Sequence, residues 1–411
     1  MLSSNANPFP KIRSVETTPV HQGGRYFILL RDPLRLADKQ VIIPHGLTPV
    51  LALCDGTRDA NAISAAMAVR FGQHISPIEI EHLLTALDDA HLLENEGFLE
   101  AREKALIEYT QAPFRKPLLS GVSYPSEEKA LQELLNGYLE KVEIDPNPKS
   151  IRGLVSPHID YARGGHVYAQ VWAEASEVVR EADLVIILGT DHCGEDDPLS
   201  LTRQNYHTPY GVLPTATSVV DKLAQALNER VIFNGELYHQ AEHSIELAAV
   251  WLQHMRQGKP VEILPILCGS FERFIKGGTH PEEDFLLERF IDTLKPAIAN
   301  RSTFLIAAAD LSHIGPAFGG RPVDFMGRAR LKAADQELMD RICAGDESGF
   351  FEAIRIVENH NNVCGVSPIY LILRLLSSIE GQVVAYDLCP ADQQGTSLVS
   401  ICGVLLQQRE A

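Results

Sequence analysis

The sequence predicts an α/β protein: a large domain built on a mostly parallel sheet, preceded by a small α+β domain. Three observations carry this expectation. Residues 184–188 (Leu, Val, Ile, Ile, Leu) form an unbroken, mostly β-branched apolar run, the mark of a strand buried on both faces. Beyond residue 150, strand-length apolar runs alternate with helix-length stretches, the order of an α/β sheet. The chain has 411 residues, more than one ordinary domain holds. The run at 184–188 stops at Gly189 and delivers Thr190, Asp191, His192 and Cys193 together. In open α/β sheets ligands sit just beyond the carboxyl ends of the strands, so a site is expected there.

Apolar residues at 45% and charged residues at 22% describe a folded globular chain. A net charge of −18 argues against nucleic-acid and anionic-membrane surfaces, which need clustered Lys and Arg, and favours a small-molecule substrate or protein partners. The 7 cysteines are an odd count without tight CxxC pairs, which disfavours a disulfide framework and suits a reducing compartment. Residues 1–10 are polar and no run approaches 18 apolar residues, so neither a signal peptide nor a membrane span is expected, and a cytoplasmic location follows.

The first domain covers residues 1–111. Residues 25–30 and 40–43 read as short strands, and the apolar spacing over 47–53 is helical until Asp55, Gly56 and Thr57 close it. Arg58 and Asp59 open a helix over 60–71, with Ile63, Met67 and Phe71 near one face. Ser76 and Glu79 form a capping box that starts a helix over 78–90, and residues 92–99 read as a closing strand. These elements make a winged-helix-like module. Its Leu53, Cys54, Asp55, Gly56, Thr57, Arg58 turn, with residues 63–72 and 87–93, resembles the PqqD-like, peptide-recognising winged helix over about residues 20–100. That resemblance implies a peptide partner, and a purely structural cap is the alternative. The acidic helices speak against DNA.

A charged helix over 101–111 leads to a boundary at 112–117, and the large domain covers residues 118–411. Residues 127–142 are helical, with Leu131, Leu134, Leu135 and Leu139 on one face, and 145–149 form a Pro-bearing loop. Strands are expected at 153–156, 261–267, 303–309, 383–387 and 397–406. Helices are expected at 166–180, 216–227, 242–257, 281–298, 329–344, 348–357 and 367–378.

Two of these strands end in histidines, His158 and His192, and a third runs into Asp310, Leu311, Ser312 and His313. Parallel neighbours stand about 4.8 Å apart, so their ends can share one site. The helix opening at Glu242 adds His243 and Glu246. Glu is ordinary there because of the helix dipole, but an imidazole near the positive end has a lowered pKa and can act as a base or neutral donor. Cys364 precedes the helix over 367–378, either as an inert buried thiol or as a thiolate available to a metal. Chemistry alone leaves Cys364, Asp310 and His313 open as a third ligand.

Pro157-His158, the strand end Leu188 to His192, Thr208-Pro209, Glu242 to Glu246, Ala309 to His313, and Cys364-Gly365 with Pro368 resemble the Memo family over about residues 118–408. The resemblance implies a fold related to the class III extradiol (LigB-type) dioxygenases and a metal held by His158, His192 and Cys364, with His243, Asp310 and His313 lining the pocket. The sequence departs from the family's pattern at Ile159-Asp160 and at Cys193, so Asp160 and Cys193 add potential ligands. Two histidines and a thiolate suit Fe(II) first, and also copper or zinc. The resemblance further implies a radical-SAM protein and an AMMECR-family protein as partners. A cytoplasmic metal-dependent redox enzyme is the leading expectation. A scaffold or peptide-binding protein and a metal-assisted hydrolase are the alternatives.

Overall fold

The computed structural model describes residues 9–144, 150–194 and 198–409. The chain divides into two units, Met1–Gln111 and Ala112–Ala411. The Pro-bearing loop expected at 145–149 lies outside the described residues.

In the first unit, β1 (Glu16–Gln22), β2 (Arg25–Arg31) and β3 (Val41–Pro44) form an antiparallel sheet in that order. Helices α1 (Thr48–Leu53), α2 (Ala60–Phe71), α3 (Pro77–Asp89) and α4 (Glu96–Gln111) follow. The capping box is present: Ser76 Oγ accepts from the Glu79 amide at 3.3 Å, and the Ser76 amide donates to Glu79 at 2.9 Å. Two expectations fail here. β1 is an added strand, and residues 92–99 do not form one. Leu93 makes a single bridge to Ile12, and Asn95 Oδ1 accepts from the Phe98 amide at 3.0 Å, which starts α4 instead.

The second unit is built on β4 (Ile151–Ser156), β5 (Leu184–Thr190), β6 (Leu199–Leu201), β9 (Glu262–Cys268), β10 (Thr303–Ala308), β11 (His313–Ile314) and β13 (Leu398–Gln408), in the order β11-β13-β4-β10-β5-β9-β6. A hairpin of β7 (Tyr206–Thr208) and β8 (Gly211–Leu213) stands apart, and β12 (Ile379–Pro390) pairs with β13. The middle strands β4, β10, β5 and β9 are mutually parallel, while β13 and β6 run antiparallel on either side. All of β5 is buried. Val185 and Ile187 enter one core with Trp172 and Trp251, and Leu184, Ile186 and Leu188 enter the other with Phe290 and Phe350. This period-2 division is what a strand covered on both faces requires.

The covering helices are α5 (Glu128–Leu139), α6 (Tyr161–Glu174), α7 (Ser176–Glu181), α8 (Thr217–Leu227), α9 (Ser244–Met255), α10 (Phe285–Ile298), α11 (Phe325–Ala344), α12 (Glu347–Arg355) and α13 (Val366–Leu376). The single helix expected over 166–180 starts five residues earlier, at Tyr161, and breaks at Ala175 between α6 and α7. The helix expected from 242 starts at Ser244, which leaves Glu242 and His243 in the turn before it.

Two histidines in this unit are held neutral. His239 Nε2 donates to the Ser200 carbonyl (3.1 Å) and Nδ1 accepts from Tyr206 Oη (2.7 Å); burial pushes it down to about 3. His254 Nδ1 accepts from Tyr210 Oη (2.9 Å), and burial lowers it to about 4. Both folded values lie below the unfolded value of about 6.5, so below that pH the unfolded chain binds more protons and stability falls as pH drops. We expect urea unfolding to show full stability above pH 7 and a loss approaching about 1.4 kcal/mol per pH unit for each histidine between about pH 6 and 4. In His239→Gln that pH slope should shrink, and an unchanged slope would contradict the assignment.

Candidate metal centre

The site lies at the carboxyl ends of β4, β5 and β10. Just past β4, the His158 amide donates to Asp310 Oδ1 (2.9 Å) and Nδ1 donates to the Ala308 carbonyl (2.9 Å). That fixes the tautomer and turns Nε2 toward Cys364 Sγ, 3.4 Å away, and Asp310 Oδ2, 3.7 Å away. His192 follows β5, and its Nδ1 donates to Glu242 at 3.0 Å. The His158 and His192 rings meet edge to face with centroids 4.9 Å apart, and His192 stacks on His243 at 5.0 Å. Gly189 is required where β5 ends, because a Cβ there would stand 2.5 Å from Ile245 Cγ1.

Cys364 sits in the loop before α13. The asparagines in front of it have structural work: Asn359 Oδ1 accepts from the Val363 amide (2.8 Å), and Asn362 Nδ2 donates to the His313 carbonyl (3.0 Å). Gly365 packs so closely that a Cβ would lie 2.5 Å from the Asp310 carbonyl oxygen. Together these contacts hold Cys364 against the Asp310–His313 turn.

Donor atoms of His158, His192 and Cys364 lie within 4.8 Å of one another, and so do those of His192, Glu242 and His243. Burial alone would push the Cys364 thiol up. The charges of His158 and His313, with hydrogen bonds from His158 and His192, overcome it and bring it down to about 5, which favours the thiolate. Burial would lower His158, but Asp310 and Cys364 raise it to about 9. A thiolate and two imidazoles with fixed Nδ1 hydrogen bonds form a donor set that fits a divalent transition metal, which would take the place of the proton between His158 and Cys364.

A family model described as Memo-like protein matches residues 115–404. The chain belongs to the Memo-like family. It is 27% identical to a MEMO1 family protein of Aquifex aeolicus over 406 residues, covering 96% of this chain and 99% of the relative, so that similarity runs through both units. It is 30% identical to a MEMO1 family protein of Methanosarcina mazei over 267 residues, covering 65% of this chain and 88% of the relative.

In this Memo-like protein the residues expected at the pocket do gather. A cavity of about 560 Å³ is lined by His158, His192, His243, Asp310 and His313, with Ile159, Leu247, Phe318 and Val399 as apolar wall. Asp310 and His313 are in neither group of converging donors among the described residues. Asp160 lines the cavity, but it caps α6 and its carboxylate is paired with Arg163 at 2.6 Å. Cys193 is buried beside the Asp191 turn and joins neither group of donors among the described residues.

The residue that sequence reasoning passed over is Glu242. It is buried and accepts from Nδ1 of both His192 and His243 (3.0 and 3.1 Å) and from the amides of His192, His243 and Ser244. Burial would raise its carboxyl, but the two histidines hold it well below the usual carboxylate range. A carboxylate one residue before His243 is the available signal, and in the sequence it reads as an ordinary acid at a helix start. We expect Glu242→Ala to weaken metal binding by roughly 10- to 100-fold, the usual effect of losing a partner that orients a ligand, with little change in overall secondary structure. Metal titration followed by circular dichroism checks this, and unaltered affinity would leave Glu242 with a packing role only.

Proposed function

We propose that this protein is a metal-dependent redox enzyme in which His158, His192 and Cys364 hold Fe(II), with copper or zinc as alternatives, and a small organic substrate enters the larger cavity. The observation that carries this reading is the convergence of two imidazoles of fixed tautomer on a thiolate at strand ends. When bound, iron or copper would supply one-electron chemistry and open positions for O2 or substrate, whereas zinc, which has no redox change, would supply only Lewis-acid chemistry. The chain's own groups do the rest. Ile159, Leu247, Phe318 and Val399 suit the apolar part of a substrate and exclude water. His243 donates Nδ1–H to Glu242, which leaves Nε2 as the atom that takes a proton from a substrate hydroxyl. Asp310 holds His158 through its main-chain amide.

A relationship in fold to the class III extradiol dioxygenases rests on family resemblance, as do the radical-SAM and AMMECR-family partners, whereas a cytoplasmic location rests on the polar first residues and the cysteine usage. Among the described residues no helix is long and apolar enough to cross a membrane. For Met1–Gln111 we read a winged-helix-like, PqqD-like peptide module, supported by the Asp55-Gly56-Thr57-Arg58 turn, where Asp55 accepts from the Thr57 amide at 3.0 Å.

The test is anaerobic purification followed by metal analysis and oxygen uptake. Iron, or copper, at near one ion per chain with oxygen consumption is the expected result. Full-occupancy zinc without oxygen reactivity would favour a hydrolase, and absence of any metal a scaffold.

A further inference from the structure

A second cavity, of about 340 Å³, meets the same cluster from another side. His192 lines both cavities, whereas Cys364 borders the smaller one and His158, His243, Asp310 and His313 border the larger. The ligand triangle is therefore part of a wall between two chambers. Cys364 is partly exposed, and the His192 side chain is 34% accessible, so both surfaces of the wall can be reached.

The chambers differ in chemistry. The larger sets four histidines, Asp310 and the Asp160–Arg163 pair beside its apolar wall, so both signs of charge are present there. The smaller presents Ser270, Asn362 and Ser367, together with Asp191, Glu272 and Glu358 against, among the described residues, the one cation Lys276, which is itself paired with Glu272. Phe271, Ile275, Val363 and Val366 complete that lining, so hydrogen-bonding groups are set on an apolar wall, and the negative balance of its side chains opposes anions.

We propose that the smaller cavity is a separate binding site for a small, uncharged, hydrogen-bonding molecule, which reaches the Cys364 sulfur without passing through the larger cavity. The redox reading bears only on what use is made of this second route; the route itself follows from the two cavities. In that reading the organic substrate and a small co-reactant arrive from different sides and do not compete for one entrance.

The test uses the full-length chain and the alkylation of Cys364 by iodoacetamide, a reaction in which the sulfur forms a thioether and iodide leaves. Peptide mapping by mass spectrometry follows Cys364 separately from the other cysteines, both as purified and after dialysis against a chelator, so that a bound metal cannot mask the thiol. Ser270→Trp plugs the smaller cavity and Ala317→Trp the larger; melting temperatures confirm that both fold, and Ser270→Phe repeats the test if the tryptophan disturbs its loop. We expect Ser270→Trp to slow Cys364 alkylation at least tenfold while Ala317→Trp leaves it within twofold. Carbethoxylation of His243 should show the opposite pattern. Iodoacetate should react more slowly than iodoacetamide by a larger factor at Cys364 in the folded chain than in the urea-unfolded chain. Equal slowing by both plugs, slowing by Ala317→Trp alone, or no effect of either overturns the second route. An iodoacetate-to-iodoacetamide ratio unchanged by unfolding overturns the preference for an uncharged ligand. Loss of metal binding with the crossed pattern intact would instead count against the redox reading alone.

Discussion

Alanine in place of His158, His192 or Cys364 is expected to lower metal affinity by roughly a hundredfold or more, because each ligand carries about 3 kcal/mol or more of the binding free energy of a transition-metal site. The three donors come from separate segments, after β4, after β5 and before α13, so each variant removes one donor without disturbing the elements that carry the other two. Asp310 stands near as well: its Oδ1 accepts from the His158 amide, and its Oδ2 lies 3.7 Å from His158 Nε2. Asp310→Asn keeps an oxygen at Oδ1 and should therefore alter reactivity more than occupancy. Metal content after dialysis and a competition titration with a chromophoric chelator measure both effects. Full occupancy in any one alanine variant would remove that residue from the ligand set.

Arg115→Met is expected to cost about 3–5 kcal/mol in the stability of the Ala112–Ala411 unit, the largest single-site loss we anticipate away from the metal centre. The Arg115 and Glu246 side chains are both 0% exposed and form a direct ion pair. Arg115 also donates to the carbonyls of His239 (2.9 Å) and Glu242 (2.6 Å). Glu246 accepts from the amides of Leu118 (2.6 Å) and Leu119 (2.8 Å) and from Tyr124 Oη (2.6 Å). Removing the guanidinium leaves a carboxylate buried without its counter-ion, which is what makes the loss large. The pair Arg115→Met with Glu246→Gln should be less damaged than the sum of the two single changes, because the orphaned charge is gone. A chain beginning at residue 112 should match the intact unit in urea unfolding, whereas one beginning at 118 should show the Arg115→Met defect. Equal stability of the two truncated chains would mean that the ion pair contributes nothing.

The strands that position the candidate centre were readable because they are buried on both faces, so burial and composition coincide in residues 184–188. Strands outside that condition were not. β1 is polar and largely exposed, and β12 has intermediate or exposed residues along most of its length, so only its apolar middle showed. Residues 92–99 look apolar enough for a strand, yet Asn95 caps a helix there, a local hydrogen bond that outweighs composition. At the site, the histidines were visible as strand ends, whereas the choice among Cys364, Asp310 and His313 needed family resemblance. The geometry sets the cysteine beside the two histidines: donor atoms of His158, His192 and Cys364 lie within 4.8 Å of one another, whereas Asp310 and His313 join no such group among the described residues. Glu242 was hidden for a different cause, since a carboxylate near a helix start is expected whether or not it orients anything.

The place of β4 in the sheet bears on when this protein can become competent during its own synthesis. β4 is made early in the second unit, but its two neighbours are β10 and β13, and β13 closes the described chain. His158, at the end of β4, is therefore flanked by strands that are made long after it. Pairing across such sequence distances is slow, because the intervening loops must be ordered before contacts repay them. Cys364 likewise arrives long after His192. A metal ion would thus meet its full set of donors only after the segment carrying Cys364 has been made and docked beside His158 and His192.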